Sequence, residues 1–413
     1  MSEGRDIVVL GAGIVGTCCA LALRRDGHRV TLIDRDEPGS GCSFGNAGMI
    51  QTGSVTPVAT PGVLRDIPRM LTDPQGALVI RWRYLPTLLP WLARFVGAAR
   101  PKRVAAIAEA LHSLLRLAKE AYQPLLSAAA AGSLLRHKGE LYVYRGEAAF
   151  RAAASEFGYR RSFGIPVDTF GPDELRQVEP ELDRRYDHAY YLPDSCYTVD
   201  PLRLTQALAL RFAADGGKVI RMDVRDIEVD ERRRELAGPI GRQPFETLVL
   251  ATGAFSKRFA TRLGARVPLE TGRGYHLMVP NPGFELQGPV IDGEKHFAVV
   301  PMTGGLRLAG MMELAGLDLP MNKARAAILL PLARRMLPSL RAEVSAPWMG
   351  HRPITPDSLP VIGRSPTTPN VLFAFGHGQL GLTLAGITGK LIADLVADRP
   401  PAVDLTPYRP TRF

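Results

Sequence analysis

The residues best suited to chemistry are the glycines of Gly11-Ala12-Gly13-Ile14-Val15-Gly16, which stand between a short apolar run and an Ala/Leu-rich segment. Gly11 suits a tight turn, Gly13 has no side chain to block a pyrophosphate, and Gly16 allows a helix to lie close to a strand. The N–H groups at the start of that helix would then hold the phosphates. Asp34 follows eighteen residues after Gly16, where a carboxylate can accept hydrogen bonds from the two hydroxyls of an adenosine ribose. The spacing therefore predicts a dinucleotide-binding site.

Three later segments also place small residues where a ligand would need a close approach to the backbone. Residues 43–49 mix glycines with polar side chains, Ala251-Thr252-Gly253 follows an apolar run, and Gly376-His377-Gly378 precedes the last predicted helix. The last segment is a second helix start that favours an anion. The pattern of residues 43–49, taken alone, equally fits a plain glycine-rich loop.

Strands and helices must alternate to bring these segments together. Strands are predicted at residues 7–10, 28–34, 140–144, 269–279, 296–312 and 370–375. Helices are predicted at residues 104–135 with a break near Pro124, at 202–215 after Pro201, at 324–335, and from the 376–378 turn to about residue 397. Strands 218–223 and 225–230 are expected to form a small meander closed by residues 247–251. The return of the strand–helix–strand pattern here predicts that the nucleotide domain is discontinuous.

The composition is that of a globular protein with two or three domains: 413 residues, 46% hydrophobic and 22% charged, with a net charge of +10. No apolar stretch is long enough to span a bilayer, and the N-terminus does not resemble a signal peptide. The basic residues are scattered, without zinc-finger spacing or an aromatic RNP-like run. A nucleic-acid partner is therefore not expected.

The four cysteines, at positions 18, 19, 42 and 196, show no CxxC spacing and no metal-like pairing with histidine. This pattern predicts a reduced, cytoplasmic setting and no metal site. Each cysteine is expected to be a small buried hydrophobe.

Residues 81–103 are basic and aromatic, and they contain two of the three tryptophans, Trp82 and Trp91. Tryptophan and tyrosine beside arginine suit a membrane interface, where rings lie at headgroup depth and guanidinium groups meet anionic lipid. Aromatic residues at helical spacing also suit a protein core. The sequence leaves both interpretations open.

Together these segments resemble the FAD-dependent D-amino-acid oxidase superfamily, and within it the bacterial D-amino-acid dehydrogenases. The resemblance covers nearly the whole chain, and its carriers are Gly11 to Gly16 with Asp34, Ser43 to Met49, Ala251-Thr252-Gly253, Arg352-Pro353 with Thr355-Pro356-Asp357, Pro360 to Gly363, and Gly376-His377-Gly378. It implies an α/β (α+β) fold with a Rossmann-like FAD-binding domain, residues 1–80, 198–263 and 346–413. An antiparallel-sheet substrate domain, residues 81–197 and 264–345, would be inserted into it.

The resemblance also implies FAD as the cofactor and assigns roles to side chains. The residues expected to bind FAD are Gly11, Gly13, Ile14, Val15, Gly16, Asp34, Arg35, Ser43, Asn46, Ala47, Gly48, Met49, Ala251, Thr252, Gly253, Gly376, Gly378, Gly381, Leu382 and Thr383. Arg352 aligns with the superfamily arginine that binds the substrate carboxylate, and Tyr275 would be a second carboxylate or orienting donor. His377 lies in the flavin-side turn, where a structural role is equally compatible with the pattern. The alternative for Arg352 is a structural salt bridge with Asp357.

The implied reaction is the oxidative deamination of a D-amino acid, in which hydride leaves the α carbon for the flavin and water hydrolyses the imino acid. Residues 82–91 also resemble members proposed to act on cyclic D-imino acids such as D-proline or hydroxy-D-proline. Electrons would pass to a quinone or another respiratory-chain acceptor, at the inner face of the cell membrane. The alternatives are a glycine, sarcosine or other secondary-amine oxidase, an electron-relay flavoprotein subunit, and an NAD-dependent dehydrogenase.

Overall fold

The fold is described from a computed structural model, which describes residues 4–73, 76–230, 233–341 and 343–413. Its α-helices are α1 (Ile14–Arg25), α2 (Pro61–Thr72), α3 (Leu85–Ala98), α4 (Pro101–Leu115), α5 (Ala118–Ala128), α6 (Gly146–Ser162), α7 (Pro172–Val178), α8 (Pro201–Ala214), α9 (Ser256–Arg262), α10 (Lys323–Ala327), α11 (Leu329–Met336) and α12 (Gly381–Val396). Short 3-10 helices lie at Trp82–Tyr84, Gly132–Leu134, Gly253–Phe255 and Thr406–Tyr408.

The strands are β1 (Asp6–Leu10), β2 (Arg29–Asp34), β3 (Met49–Ile50), β4 (Leu78–Ile80), β5 (Leu135–Arg136), β6 (Glu140–Tyr144), β7 (Asp168–Phe170), β8 (His188–Leu192), β9 (Cys196–Thr198), β10 (Lys218–Arg221), β11 (Asp226–Val229), β12 (Arg234–Gly238), β13 (Gly241–Pro244), β14 (Thr247–Leu250), β15 (Glu270–Val279), β16 (Val290–Asp292), β17 (Phe297–Met302), β18 (Gly305–Leu314), β19 (Trp348–Ile354), β20 (Val361–Arg364) and β21 (Val371–Phe375).

A six-stranded sheet of order β10-β2-β1-β14-β21-β20 carries the glycine turn. Its strands are parallel except for β20, which runs antiparallel to β21. Ile7 and Val9 of β1 pack toward α1 and α12, whereas Val8 and Leu10 pack toward the β11–β13 meander and α9. Both faces are thus covered, which is why β1 is apolar from Ile7 to Leu10. The carboxyl ends of β1, β2 and β14 meet at one edge, the usual place for a ligand in such a sheet.

A nine-stranded, mostly antiparallel sheet has the order β19-β15-β18-β17-β16-β6-β8-β7, with β4 beside β18. Within the described part of this sheet, the parallel pairs are β16–β6 and β18–β4. The central strand β15 lies between β18 and β19, and Gly272 of β15 is opposite Arg352 of β19. The structure therefore confirms the predicted α/β (α+β) fold class with a parallel and an antiparallel sheet.

The helix predicted over residues 104–135 is wrong in the position of its break. The chain breaks between α4 and α5, at residues 116–117, and α5 continues through Pro124. Proline removes one hydrogen bond from a helix. Helix α5 tolerates this loss because Tyr122 donates to the Leu382 carbonyl and Leu125 and Leu126 are buried in the core shared with α12.

Two further element predictions need correction. Strand β10 joins the parallel sheet beside β2 instead of the meander, which consists of β11, β12 and β13, and β14 lies beside β1. The helix predicted at residues 324–335 is divided into α10 and α11. Pro331 explains the division because it has no N–H to donate to the Ala327 carbonyl, four residues earlier.

The cysteines are as predicted at three of four positions. Cys18, Cys19 and Cys196 are buried, but Cys42 is exposed, and its S–H donates to the His351 carbonyl at 3.0 Å. The prediction that Cys42 is a buried hydrophobe is wrong because it follows a polar turn that borders a cavity.

The proposed domain boundaries stay a prediction. Helices α4 and α5 fall in the range assigned to the substrate domain, yet they share one hydrophobic core with α1 and α12 of the nucleotide domain.

Candidate active site

The glycine turn after β1 is built by two close backbone contacts. Gly11 has a φ of +109°, and a Cβ atom there would lie 2.4 Å from the Ala251 carbonyl oxygen. A Cβ atom at Gly16 would lie 1.8 Å from the Gly11 carbonyl oxygen. Both positions therefore need glycine for the turn itself, as the spacing predicts.

Gly13 differs from the other two glycines because the protein does not require it. Its backbone has φ −68° and ψ 174°, which any residue adopts, and a Cβ atom would meet only the Ser43 hydroxyl at 3.5 Å. The missing side chain leaves space at the cavity wall, as a pyrophosphate would need. The local geometry thus fits the dinucleotide that the sequence predicts.

Asp34 closes the same turn from the end of β2. Its Oδ2 accepts the Ala12 N–H at 2.7 Å and its Oδ1 accepts the Asp36 N–H at 3.2 Å. The carboxylate and the neighbouring Arg35 line the cavity, so a ribose would find an acceptor held by two backbone donors.

The segment of residues 43–49 is fixed against both sheets. Ser43 accepts the Ile14 N–H at 2.9 Å, and the Asn46 amide oxygen accepts the Gly48 N–H at 2.7 Å. Arg307 of β18 donates to the carbonyls of Phe44 and Asn46, and burial lowers its pKa to about 10. These hydrogen bonds fix the segment as one wall of the site.

The C-terminal turn brings a second helix start to the cavity. Gly376 and Gly378 have φ values of +79° and +56°, and the Gly378 N–H donates to the Pro353 carbonyl at 2.8 Å. Thr383, in the first turn of α12, accepts the Gln51 N–H at 3.0 Å. The turn is thereby tied to the segments on either side of it.

His377 has the contacts and burial of a residue with a structural role. Its Nε2 lies 2.9 Å from the Thr388 hydroxyl on α12, the residue is 3% exposed, and burial lowers its pKa to about 3. The imidazole is therefore neutral near pH 7 and engaged within the fold. We interpret it as a support for the turn, which was one of the two roles that its position allowed.

Arg352 directs a half-buried guanidinium group to the cavity. Its Nη1 donates to the Met311 carbonyl at 2.9 Å, and desolvation by burial lowers its pKa. Asp357, the partner in the alternative interpretation, instead forms a salt bridge with Arg412 at 2.8 Å. Within the described chain no carboxylate pairs with Arg352, which leaves the remaining N–H groups for a ligand.

Tyr275 is a residue of the cavity wall, but its side chain is directed to the other face of β15. A Cβ atom at Gly274 would lie 2.4 Å from the Arg352 Cζ, so Gly274 faces the guanidinium and its neighbour Tyr275 faces away, because side chains alternate along a strand. The Tyr275 hydroxyl donates to Glu313 on that far face, and the residue is 1% exposed. The Tyr275 hydroxyl is thus engaged within the fold, and its predicted role as a carboxylate donor stays a prediction.

One cavity of about 1460 Å³ collects most of the predicted site residues from both sheets. Its wall includes Gly11, Gly13, Ile14, Val15, Asp34, Arg35, Ser43, Asn46, Ala47, Met49, Ala251, Thr252, Gly253, Tyr275, Arg352, His377, Gly378, Gly381 and Leu382. The predicted residues that do not line it are Gly16, Gly48, Gly376 and Thr383, whose backbone conformations or contacts, described above, shape the turns.

Sequence reasoning missed three contributors to this site: Gly274, Met311 and Arg307. Gly274 carried a signal, because glycine within a strand often marks a close approach. Arg307 carried a weaker signal, a charged residue in an apolar strand. Met311 contributes a backbone carbonyl, for which no residue type is diagnostic.

Comparisons with known proteins agree with this geometry. Residues 6–395 match the family model described as FAD dependent oxidoreductase (DAO). A D-amino-acid oxidase of Bradyrhizobium diazoefficiens is 36% identical and covers 100% of both chains, and a D-amino acid dehydrogenase of Sinorhizobium medicae is 31% identical, covering 98% of this chain and 99% of the relative. The crystal structure of glycine oxidase from Geobacillus kaustophilus superimposes with a TM-score of 0.74 and 26% identity, covering 100% of both chains.

The match over most of the chain confirms the predicted family and cofactor and removes the NAD-dependent alternative. The chain belongs to the family of FAD dependent oxidoreductases, with FAD as its cofactor.

Proposed function

We propose that the protein removes hydride from the α carbon of a small D-amino acid bound in this cavity. The names of the relatives favour this substrate class, since one is an oxidase and another a dehydrogenase of D-amino acids. Bound FAD supplies the hydride acceptor. The chain's own residues bind and orient the substrate.

The observation that carries the proposal is the half-buried guanidinium group of Arg352, which no carboxylate of the described residues pairs with. It lines the same cavity as the glycine turn, and its only side-chain hydrogen bond among the described residues goes to a backbone carbonyl. Arginine can grip both oxygens of a carboxylate, which fixes the direction of the attached Cα–H bond. Positioning of this kind contributes much of the rate when little acid–base chemistry is needed.

The walls near Arg352 support a substrate with an apolar side chain. Met312 and Ile354 flank Gly272, the residue opposite Arg352, and Leu78 of β4 lies beside Met312. All three side chains belong to residues that line the cavity. We therefore propose D-alanine, D-leucine and the cyclic D-proline or hydroxy-D-proline as substrates before acidic D-amino acids.

A panel of amines under anaerobic conditions tests this proposal. We expect apolar D-amino acids to bleach the visible absorbance of the bound flavin, whereas their L enantiomers, measured as matched controls, do not. Faster bleaching by glycine or sarcosine would favour the secondary-amine alternative. A protein that no amine bleaches would act as an electron relay.

The electron acceptor is tested separately, because the two relatives differ in name on this point. We propose a quinone or another respiratory-chain acceptor. Turnover of the best substrate should then be faster with a quinone analogue than with oxygen, and hydrogen peroxide should stay near background in air. Stoichiometric peroxide would instead identify an oxidase.

We further propose contact with an anionic membrane surface through an apolar stripe on residues 82–96. Its members are Trp82, Leu89 and Val96, which are 75%, 55% and 53% exposed. Residues 81–103 contain no acidic side chain, and their exposed basic residues are Arg81, Arg83, Arg94, Arg100, Lys102 and Arg103. On the opposite side of α3, Trp91 and Phe95 are buried in the core. No helix in the described ranges is both long and apolar enough to cross a membrane.

Flotation with anionic vesicles tests this contact. We expect the protein to float at low salt and less so at high salt, because surface basic residues contribute about 1 kcal/mol each and salt screens them. The triple change Trp82→Ser, Leu89→Ser and Val96→Ser should abolish flotation. Leu210→Ser with Ile240→Ser, which changes exposed apolar residues elsewhere, should not. Equal flotation of both variants would contradict the proposal.

A further inference from the structure

Met311 has a backbone conformation that its side chain disfavours. Its φ is +61°, and among the non-glycine residues with positive φ that the structure describes, it alone lies inside a strand. The others, at positions 130, 296, 358 and 398, lie in turns or bends. Such an outlier within a sheet persists only where the surroundings hold it, and these places are often functional.

The unusual conformation belongs to a β-bulge between β15 and β18. Arg273 is opposite Glu313 and Tyr275 is opposite Gly310, so two residues of β18 face the single residue Gly274. The extra residue of a bulge leaves the regular ladder and redirects its groups. Here the Met311 carbonyl leaves the ladder and accepts the Arg352 Nη1–H at 2.9 Å.

The Met311 side chain anchors the bulge on the opposite face. It is 3% exposed, it packs in the core with Phe297 and Leu329, and its sulfur lies 3.3 Å from the Arg325 Nη2. The same nitrogen donates to the Gly76 carbonyl at 2.6 Å. These contacts fix the Met311 side chain on one face of the sheet, while its carbonyl faces Arg352.

Gly274 completes the arrangement because the guanidinium lies over its backbone, where a Cβ atom would be 2.4 Å from the Arg352 Cζ. We propose that the Met311 bulge is a positioning device for Arg352. Its carbonyl fixes one guanidinium nitrogen and so aims the remaining N–H groups at the substrate carboxylate. This inference rests on the proposed function, in which Arg352 binds that carboxylate.

The test compares Met311→Ile with Met311→Gly in the FAD-loaded enzyme. Isoleucine keeps the apolar volume but resists positive φ, whereas glycine loses the side chain and accepts positive φ freely. The dissociation constant of butanoate, a carboxylate without an amine, is measured from the change in flavin absorbance, with butanamide as the uncharged control. We expect Met311→Ile to raise the dissociation constant of butanoate about tenfold or more. The constant of Met311→Gly should be within about twofold of wild type, although this variant should melt at a lower temperature.

Equal weakening by glycine and isoleucine would overturn the proposal, because the lost packing would then explain both. A wild-type constant for Met311→Ile would overturn it too. If Met311→Ile does not fold, Met311→Ala replaces it, since alanine and glycine both remove the thioether and differ in their tolerance of positive φ. Arg352→Met distinguishes an error in the proposed function from an error in the role of the bulge. If this variant keeps the wild-type affinity for butanoate, Arg352 does not bind the carboxylate and the proposed function itself is wrong.

Discussion

Replacement of Arg352 with methionine is expected to lower kcat/KM for a D-amino acid by two to three orders of magnitude or more, while FAD stays bound. The guanidinium group is half-buried in the cavity wall and desolvation lowers its pKa, and a bound substrate carboxylate would shield it further from water. Removal of one partner of a buried charged pair costs about 3–5 kcal/mol. At about 1.4 kcal/mol per tenfold change, this cost gives the expected loss.

The lysine variant and a matched arginine sharpen this test. Arg352→Lys should recover only part of the activity, because it keeps the charge and loses the two-pronged geometry. Arg412→Met removes the arginine that pairs with Asp357 at 2.8 Å, away from the cavity wall. It should lower the melting temperature and leave kcat/KM of the folded enzyme near wild type. If Arg352→Met behaves like Arg412→Met, then Arg352 is structural.

The parts of the site that the sequence predicts best are those set by neighbours along the chain. The turn needs Gly16 because a side chain there would meet the Gly11 carbonyl within the same strand–turn–helix unit, and it needs glycine at position 11 because φ there is +109°. Asp34 ends β2 beside β1, so its position follows from one helix and one strand pairing. Constraints of this kind produce a spacing of glycines and acid that can be recognised in a single sequence.

The parts that the sequence could not give depend on register and on distant partners. The face on which Tyr275 lies follows from the alternation of β15, and its hydroxyl is committed to Glu313, 38 residues further along the chain. The partner of Asp357 is Arg412, 55 residues away, although Arg352 is nearer in sequence. No local pattern distinguishes these pairings from their alternatives.

The role of Met311 was hidden for a different reason. Its contribution is a carbonyl oxygen, which every residue has, and its conformation is one that sequence rules assign to glycine or asparagine. A methionine in an apolar strand predicts a core residue, and its side chain is one. The contact with Arg352 is made by the Met311 backbone, in addition to the packing of the side chain.

Replacement of Gly13 with alanine is expected to weaken FAD binding about tenfold to a hundredfold without weakening the protein fold. The backbone there is ordinary, and the new Cβ atom would meet only the Ser43 hydroxyl at 3.5 Å, an ordinary contact. Its methyl group would instead occupy space at the cavity wall beside the start of α1, where the cofactor's phosphates are expected. Overpacking a close contact costs about 1–3 kcal/mol, which gives this range of affinity loss.

Gly16→Ala is the matched control, because the same methyl group would there lie 1.8 Å from the Gly11 carbonyl oxygen and force the turn apart. The two variants separate when the melting temperature is measured against FAD concentration, since a ligand that binds only the folded protein stabilises it by RT ln(1 + [L]/Kd). For Gly13→Ala the melting temperature without FAD should equal that of the wild type, and its rise should begin at about tenfold to a hundredfold higher FAD. For Gly16→Ala the melting temperature should already be lower than that of the wild type without FAD. A Gly13→Ala protein that retains wild-type FAD affinity would show that this glycine makes no room for the cofactor, and the binding turn would have to lie elsewhere on the cavity wall.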